Sequence, residues 1–300
     1  MKSIVATPGE SPILEKSGLM SDLAELIKAR LTMLVLLTTA VGYYLGAERG
    51  VDWLGLFHAV FGTAMAAAGA AALNQWWERP HDALMHRTRE RPIPAGRMRP
   101  RNAFLVGAAL AVAGVVYLAA SCNWLSALLA AATIGIYILA YTPLKRISTV
   151  NTLVGAVPGA LPPMIGWAAA TGNAEGAAWS LFAILFCWQM PHFFAIAWMY
   201  REDYARGGFR MLSHDDETGV RSASQGVLFC MLLLIITGMP TYLGLTTEIY
   251  LPIALALGGW FIYMAMQFHR KKTFQAARAL FLASIIYLPL LLLALVLTKS

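Results

Sequence analysis

The chain has 300 residues, of which 58% are hydrophobic and only 13% are charged, and its mean hydropathy is +0.60. Soluble globular chains are closer to half apolar and a quarter charged, so this composition excludes a soluble domain and indicates a membrane protein with several spanning segments. The formal net charge is +7, and the three cysteines show no CxxC spacing, so neither a zinc site nor a disulfide framework is indicated.

Nine apolar segments follow one another, each long enough to cross a hydrocarbon core of about 30 Å as a helix. They cover residues 27–47, 54–76, 103–120, 124–141, 151–170, 177–199, 226–245, 250–268 and 279–297. Because a backbone in lipid must satisfy its own hydrogen bonds, and the segments lack the alternation of barrel strands, helices are the only structure left. We predict an all-α membrane protein with a cytoplasmic N-terminal segment at 1–26 and one nine-helix domain at 27–300.

The lysine and arginine residues are unevenly distributed among the connections between these segments. If the N-terminus is inside, all 23 of them fall on the inner side except Arg49 and Lys299. The positive-inside rule therefore predicts a cell-membrane protein with a cytoplasmic N-terminus and an external C-terminus. The long inner connections 77–102 and 200–225 are rich in ionisable groups, so we expect any chemistry at the cytoplasmic mouth.

The inner end of the second segment carries a first acidic motif, residues 74–82, with the sequence NQWWERPHD. Asn74, Glu78 and Asp82 are spaced i, i+4, i+8, which on a helix places three oxygen-bearing side chains in one stripe. Oxygen ligands on one face suit a hard cation such as Mg²⁺ bound together with a substrate phosphate. Pro80 is expected to loosen the helix near residue 76. Ordinary polar residues at a helix end are the alternative interpretation.

A second acidic motif, YREDY at 200–204, follows the sixth segment at the same predicted depth. On a helix Glu202 points about 100° away from Asp203, so only one of the two can face a cavity. Two carboxylate sites that face each other across a cavity would hold metal ions on a diphosphate.

Basic residues accompany the acidic motifs. Arg87 and Arg91 follow the first motif, and Lys145 follows the fourth segment. Cations beside carboxylates would neutralise a polyanion that is bound together with metal. The positive-inside rule alone also places these residues there, so both interpretations stay open.

The sixth segment contains the sequence WQMPHFF at 188–194. Its rings would wall a slot for an isoprenoid chain or belong to an interfacial aromatic belt. His192 lies inside an apolar span, where a histidine is either a hydrogen-bonded packing residue or a ligand. At 1.5 Å per residue it lies about 16 Å deeper than Asp203, which excludes contact with phosphates held there.

Together these motifs resemble the heme O synthase branch of the UbiA-type intramembrane prenyltransferase superfamily. The resemblance also includes YTPLKR at 141–146 and GALPPMIGW at 159–167, and it covers nearly all nine segments. The block PHFF joined to YREDY is specific to the heme branch. The chain departs from its relatives at Ala29, where proline is common, and at Gly207, where quinone-type relatives have a further aspartate.

The resemblance implies a ring of nine helices around a lipid-accessible cavity, with Mg²⁺ as cofactor. It implies that heme b, farnesyl diphosphate and water react to give heme O and diphosphate. The implied ligands of metal and diphosphate are Asn74, Glu78, Asp82 and Asp203. Arg87, Arg91 and Lys145 would bind the diphosphate, and His192 would contact the heme. Membrane lipid and heme A synthase or a terminal oxidase assembly pathway are the implied partners, and no nucleic acid is expected.

Three other functions stay open on the sequence alone. They are prenylation of an aromatic quinone precursor, a secondary transporter or Mg²⁺ channel, and a non-catalytic oxidase assembly factor. A transporter is disfavoured because the acidic residues cluster at one mouth and mark no path through the membrane.

Overall fold

The computed structural model describes residues 18–48 and 50–300, and this part of the chain is almost entirely helical. Its helices are α1 (Leu19–Leu26), α2 (Ala29–Gly46), α3 (Trp53–Asp82), α4 (Pro100–Ser121), α5 (Trp124–Leu144), α6 (Asn151–Thr171), α7 (Gly176–Met199), α8 (Arg201–Arg206), α9 (Val220–Tyr242), α10 (Tyr250–Lys271) and α11 (Phe274–Leu297). Within the described residues nine helices, α2–α7 and α9–α11, are long and apolar enough to cross a membrane. The predicted all-α fold with nine spanning helices is confirmed. Residues 1–17 of the predicted N-terminal segment, and Arg49, lie outside the described residues.

Helix α3 continues to Asp82, well beyond the predicted end of its segment at residue 76. Pro80 has no N–H to donate to the carbonyl of Trp76, but the Arg79 guanidinium donates to that carbonyl at 2.6 Å. The expected loosening is therefore compensated locally by a side chain. The first acidic motif is helical throughout, so the stripe of oxygen-bearing side chains is preserved.

Helix α9 begins at Val220, before the predicted start of its segment at 226. The carboxylate of Asp216 accepts hydrogen bonds from the backbone N–H groups of Arg221 and Ser222. This carboxylate satisfies donors that the first turn leaves unpaired and opposes the positive end of the helix dipole. For this reason the polar first turn of α9 is helical, although its low hydropathy placed it outside the predicted segment.

Small residues allow the spanning helices to approach closely. A Cβ added at Gly69 of α3 would overlap the backbone of Ala111 on α4. Between α2 and α6, a Cβ at Gly166 would overlap the carbonyl of Thr39. Larger side chains at these crossings would therefore push the helices apart.

Two irregular helices shape the interior. A π-helical turn, Ile136–Tyr141, interrupts α5, and α6 is broken at Leu161. A Cβ at Gly155 of α6 would overlap the Tyr141 ring, and one at Gly159 would overlap the amide oxygen of Gln189. These glycines leave room for side chains that line the central cavity described below.

The connections 83–99, 145–150 and 200–219 meet at one end of the bundle, which we call the basic end. Asp203 accepts a hydrogen bond from the N–H of His86 at 3.0 Å, and the amide of Asn151 donates to the Arg210 carbonyl at 2.7 Å. At the opposite end, the Lys299 ammonium donates to two carbonyls that follow α2 or lie in its last turn. Helix α1 and the C-terminus thus lie at opposite ends of the bundle, as an odd number of spans requires.

Candidate active site

A cavity of about 420 Å³ lies within the bundle, and side chains of the basic end line part of it. Its walls come from α2, α3, α5, α6 and α7 and from the connections at the basic end, with one residue each from α8 and α11. Charged groups line one part, whereas aliphatic and aromatic groups line the remainder. The volume falls within the range of about 300–1,000 Å³ that is usual for ligand pockets. This division suits an elongated ligand with an anionic head and an apolar body.

The first acidic motif contributes two carboxylates to this cavity. Asn74, Glu78 and Asp82 are all buried on α3, and Glu78 and Asp82 line the cavity. Asn74 does not line it. Its side-chain oxygen accepts a hydrogen bond from Lys28 at 2.7 Å, and its amide nitrogen donates to Thr142 at 3.1 Å. In this structure Asn74 therefore connects three helical segments around the cavity wall.

The predicted acidic and basic residues pair with each other. The Lys145 ammonium lies 2.7 Å from a Glu78 oxygen, and the Arg91 guanidinium lies 2.7 Å from an oxygen of Asp82. Burial alone would lower the pKa of Lys145, but the Glu78 carboxylate outweighs that effect and raises it. The salt bridge with Glu78 thus favours the charged form of Lys145. The cavity thus contains two ion pairs, Lys145 with Glu78 and Arg91 with Asp82. An incoming anion could bind the cations of these pairs, and its counter-ion could bind the carboxylates.

The surroundings of one Asp82 oxygen indicate whether the site fits a divalent cation. Its Oδ1 is buried and has no hydrogen-bond partner in the structure, which is costly for a charged group. Glu78 lies one turn away on the same helix face. Among the described residues no three His, Cys, Asp or Glu side chains lie close enough to form a complete metal site. The donors fit a hard cation that takes few protein ligands and shares its shell with substrate phosphates and water.

Asp203 is directed toward the backbone of the first motif's loop and does not line the cavity. It accepts hydrogen bonds from the N–H groups of His86 and Arg87 at 3.0 and 3.2 Å, and it pairs with Arg206. Burial would raise the pKa of Asp203, but the hydrogen bonds from Arg206, His86 and Arg87 hold it below its usual value. The two acidic motifs do meet at one end of the bundle, but Asp203 holds the loop in place and does not face Glu78 and Asp82 across the cavity. Glu202 is exposed, in agreement with its predicted angular offset.

Arg87 lines the cavity and stacks on aromatic rings. Its guanidinium carbon lies 4.5 Å from the ring centroid of Tyr204 and 5.4 Å from that of Tyr200. No carboxylate among the described residues forms an ion pair with Arg87, so its donors remain available to an anion. All three predicted diphosphate partners, Arg87, Arg91 and Lys145, thus line one cavity.

Lys28 lines the cavity as well, although the sequence did not single it out as a site residue. It adopts a left-handed backbone conformation with φ of 50° just before α2, which directs its side chain to Asn74. Burial and the positive charge of Arg91 lower the pKa of Lys28 to about 7. In the sequence, only its place at the edge of the first span could have marked Lys28 as a site residue. The positive-inside rule explains a lysine at that place equally well.

Two tyrosines from the π-helical turn of α5 form an aromatic wall beside the charged groups. The rings of Tyr137 and Tyr141 stack with centroids 5.5 Å apart, and the Lys145 nitrogen lies 4.5 Å from the Tyr141 centroid. The electron-rich faces of such rings stabilise nearby positive charge. Tyr137 was missed because an aromatic residue in an apolar span carries no signal of its own.

His192 lines the cavity and also packs against α11. Its Nδ1 lies 2.7 Å from the hydroxyl of Ser284, and that hydroxyl donates its hydrogen to the carbonyl of Phe281. The Ser284 oxygen must therefore accept from His192, so Nδ1 carries the hydrogen and Nε2 keeps its lone pair. Packing and ligand binding are thus compatible roles for this residue.

Comparisons with known proteins agree with this architecture. The model of the UbiA prenyltransferase family matches residues 35–292. The protoheme IX farnesyltransferase of Solibacter usitatus is 44% identical over 281 residues, which cover 91% of this chain and 96% of that protein. A structure of digeranylgeranylglyceryl phosphate synthase has a TM-score of 0.78 at 17% identity, over 95% of this chain and 99% of that one. A UbiA homolog from Archaeoglobus fulgidus bound to GPP and Mg²⁺ has a TM-score of 0.67 at 14% identity, over 92% of this chain and 99% of that one. The chain therefore belongs to the UbiA prenyltransferase family.

Proposed function

We propose that this chain transfers the farnesyl group of farnesyl diphosphate to a vinyl group of heme b, with addition of water, to give heme O and diphosphate. Full-length similarity to a protoheme IX farnesyltransferase supports this reaction. The observation that carries it is one continuous cavity in which a charged mouth is joined to an apolar interior that contains His192. Such a cavity accommodates a diphosphate, a prenyl chain and an apolar acceptor together.

The diphosphate is held at the charged part of the cavity by Arg87, Arg91 and Lys145, and Lys28 joins them. The guanidinium of Arg87 has no acidic partner among the described residues, so its N–H groups are free to donate to phosphate oxygens. Arg91 and Lys145 turn from their carboxylates toward phosphate oxygens as the ligand binds. Cations fixed at the position of the leaving group stabilise the charge that develops on it.

We assign a divalent cation, Mg²⁺, to the carboxylates of the two acidic motifs. Glu78 and Asp82 would hold it in the cavity. Asn74 and Asp203 would join them as further ligands only after the Asn74 oxygen leaves Lys28 and the Asp203 carboxylate leaves the loop N–H groups. The GPP-bound and Mg²⁺-bound homolog from Archaeoglobus fulgidus supports a metal and diphosphate site on this fold. When bound at these carboxylates, Mg²⁺ would supply positive charge that offsets the negative charge of the diphosphate.

The protein's own groups then direct the reaction. The bond between the prenyl C1 and the diphosphate oxygen breaks, and the oxygen keeps the electron pair. The faces of Tyr137 and Tyr141 stabilise the allylic cation, and the vinyl group of heme b forms the new carbon–carbon bond with C1. Water adds to the resulting cation next to the porphyrin ring and loses a proton to solvent, which leaves a hydroxyethylfarnesyl substituent.

His192 is the residue that we assign to the heme. Its Nε2 lone pair is available because Nδ1 donates to Ser284. Neutral imidazole is a common ligand of heme iron. His192 lies within the spanning helix α7, whereas Asp203 lies on the separate helix α8 at the basic end. A porphyrin bound at His192 would therefore lie deeper in the bundle than the diphosphate.

The chemistry of the substrates indicates where the protein acts. Heme and the prenyl chain partition into membrane lipid, and we place the basic end in the cytoplasm, where diphosphate leaves. The enzyme would sit in the cell membrane and pass its product to heme A synthase or a terminal oxidase assembly pathway.

The direct test uses purified protein in lipid nanodiscs with Mg²⁺, labelled farnesyl diphosphate, and either heme b or an aromatic quinone precursor. We expect the label in a hydroxyethylfarnesyl heme and none in the aromatic ring. Label transferred only to the aromatic acceptor would replace this proposal with a quinone-pathway function. No transfer to either acceptor by folded protein would contradict prenyl transfer altogether.

A further inference from the structure

A second cavity of about 240 Å³ lies beside the active site and shares no lining residue with it. Its walls come from α6, α7 and α9 and from the short 3-10 turn Leu212–Asp215. On α7, Met190 and Phe194 line this slot, whereas Trp188 and His192 line the active-site cavity. Because these two pairs occupy different faces of one helix, α7 forms a wall between the cavities. The slot is therefore a separate site.

The slot opens at the outer surface of the bundle near the basic end. Val150, in the connection before α6, and Leu153, in the first turn of α6, line it and are 50% and 40% exposed, so the slot has an open, apolar rim. Phe194 and Leu212 are buried at its base. An apolar chain in the surrounding bilayer can therefore reach the slot sideways without passing through the active site.

One arginine without an acidic partner lines the slot, and two more lie close to its lining residues in the sequence. Arg221 lines it, and Arg146 and Arg210 lie within three residues of the lining residues Thr149 and Leu212. In the described part of the chain, no carboxylate forms an ion pair with any of these three arginines, whereas Arg91 and Lys145 of the active site are both paired. The neighbouring carboxylate of Asp216 accepts backbone N–H groups at the start of α9 and does not pair with the Arg221 guanidinium. The positive charge at the slot is available to an external anion.

We propose that this slot binds an anionic phospholipid, with one acyl chain against Phe194 and the phosphate group at Arg221. Basic pockets between spanning helices recognise anionic headgroups in this way. A zwitterionic lipid would fill the slot but offer no net charge to the arginines. A soluble phosphate would meet the charge but leave the apolar slot empty. The inference does not depend on the proposed reaction.

The test is native mass spectrometry of the full chain in detergent, mixed with equal amounts of phosphatidylglycerol and phosphatidylcholine that have the same acyl chains. Wild-type protein should retain phosphatidylglycerol preferentially. R221Q should weaken that retention about fivefold, the usual contribution of one basic residue near a membrane surface. V150W should weaken it as well, because the indole fills the slot from a half-exposed position. R101Q, at an exposed arginine at the start of α4, is the matched control and should behave as wild type.

Three results would overturn the proposal. They are unchanged retention of phosphatidylglycerol in both R221Q and V150W, equal retention of the two lipids by wild-type protein, and displacement of phosphatidylglycerol by inorganic phosphate. The last result would show that the arginines bind a free anion. Thermal unfolding followed by circular dichroism establishes that each variant is folded, so loss of retention in a folded variant supports the site.

Discussion

Asp82 is the carboxylate whose surroundings most clearly require a cation, since one oxygen pairs with Arg91 and the other is buried without a partner. Asp82→Asn removes the charge but little volume. We expect a loss of about 2–4 kcal/mol of transition-state stabilisation, which lowers the turnover number about 30-fold to 1,000-fold. Product formation with heme b and farnesyl diphosphate measures it.

The second acidic motif provides both a further test and a control. Asp203→Asn should also abolish turnover, because it releases the loop of Arg87 and removes a proposed metal ligand. Glu202→Gln changes an exposed neighbouring carboxylate and should have little effect. Near-wild-type turnover in Asp82→Asn would mean that the metal binds elsewhere.

His192 is predicted to bind heme through Nε2. His192→Ala should weaken heme binding and turnover, whereas the affinity for farnesyl diphosphate should stay nearly intact because the residue lies far from the phosphates. Heme titration of the purified variant, followed by absorption spectroscopy, measures the change. An unchanged spectrum and affinity would leave His192 with a packing role only.

Lys28 is predicted to contact the diphosphate. Lys28→Met keeps most of the stem but removes the charge, so the KM for farnesyl diphosphate should rise about tenfold or more, the usual effect of losing a hydrogen bond to a charged group. Lys28→Arg should retain most of the affinity, and Arg30→Met, at an exposed position, serves as the control. If Lys28→Met lowered only thermal stability, its role would be confined to holding Asn74.

The site residues that the sequence predicted are those whose placement depends on local geometry. Glu78 and Asp82 share a helix face because they are four residues apart. Asp203 could not be oriented in this way, because its direction depends on N–H groups of a loop that is 117 residues away at His86. Lys28 was missed for a similar reason, since its side chain is positioned by Asn74 on another helix.

Helices were predicted well from hydropathy, and their ends less well. Each predicted segment overlaps an observed spanning helix, because apolar length alone identifies a span. The ends of α3 and α9 were misplaced because polar residues continue both helices. There the helix is held by Arg79 on the Trp76 carbonyl and by Asp216 on free N–H groups, which hydropathy does not register.

The crossing of α2 and α6 depends on Gly166. A methyl group there would overlap the Thr39 carbonyl, so Gly166→Ala should lower stability by about 1–3 kcal/mol despite the better helix propensity of alanine. The midpoint of thermal unfolding in detergent measures this effect. Gly259→Ala on α10 is the matched control, because no atom lies within 4 Å of its added Cβ. Equal midpoints for the two variants would show that the crossing tolerates a side chain.

The orientation of the whole molecule is predicted from its charges. The connections that contain residues 83–99 and 200–219 should be cytoplasmic, because almost all lysines and arginines of the described residues lie at that end. Reporter fusions at residues 90 and 123 should therefore report opposite sides of the membrane, with residue 90 inside. Both reporters on one side would contradict the arrangement of spans.

The central claim, that the chain farnesylates heme, is tested most directly by mass spectrometry of hemes extracted from cells with and without this protein. We predict a hydroxyethylfarnesyl heme in cells that express the chain, none in cells that lack it, and a strong reduction when the chain carries Asp82→Asn. If cells that contain the folded wild-type protein accumulate only heme b, the assignment is contradicted.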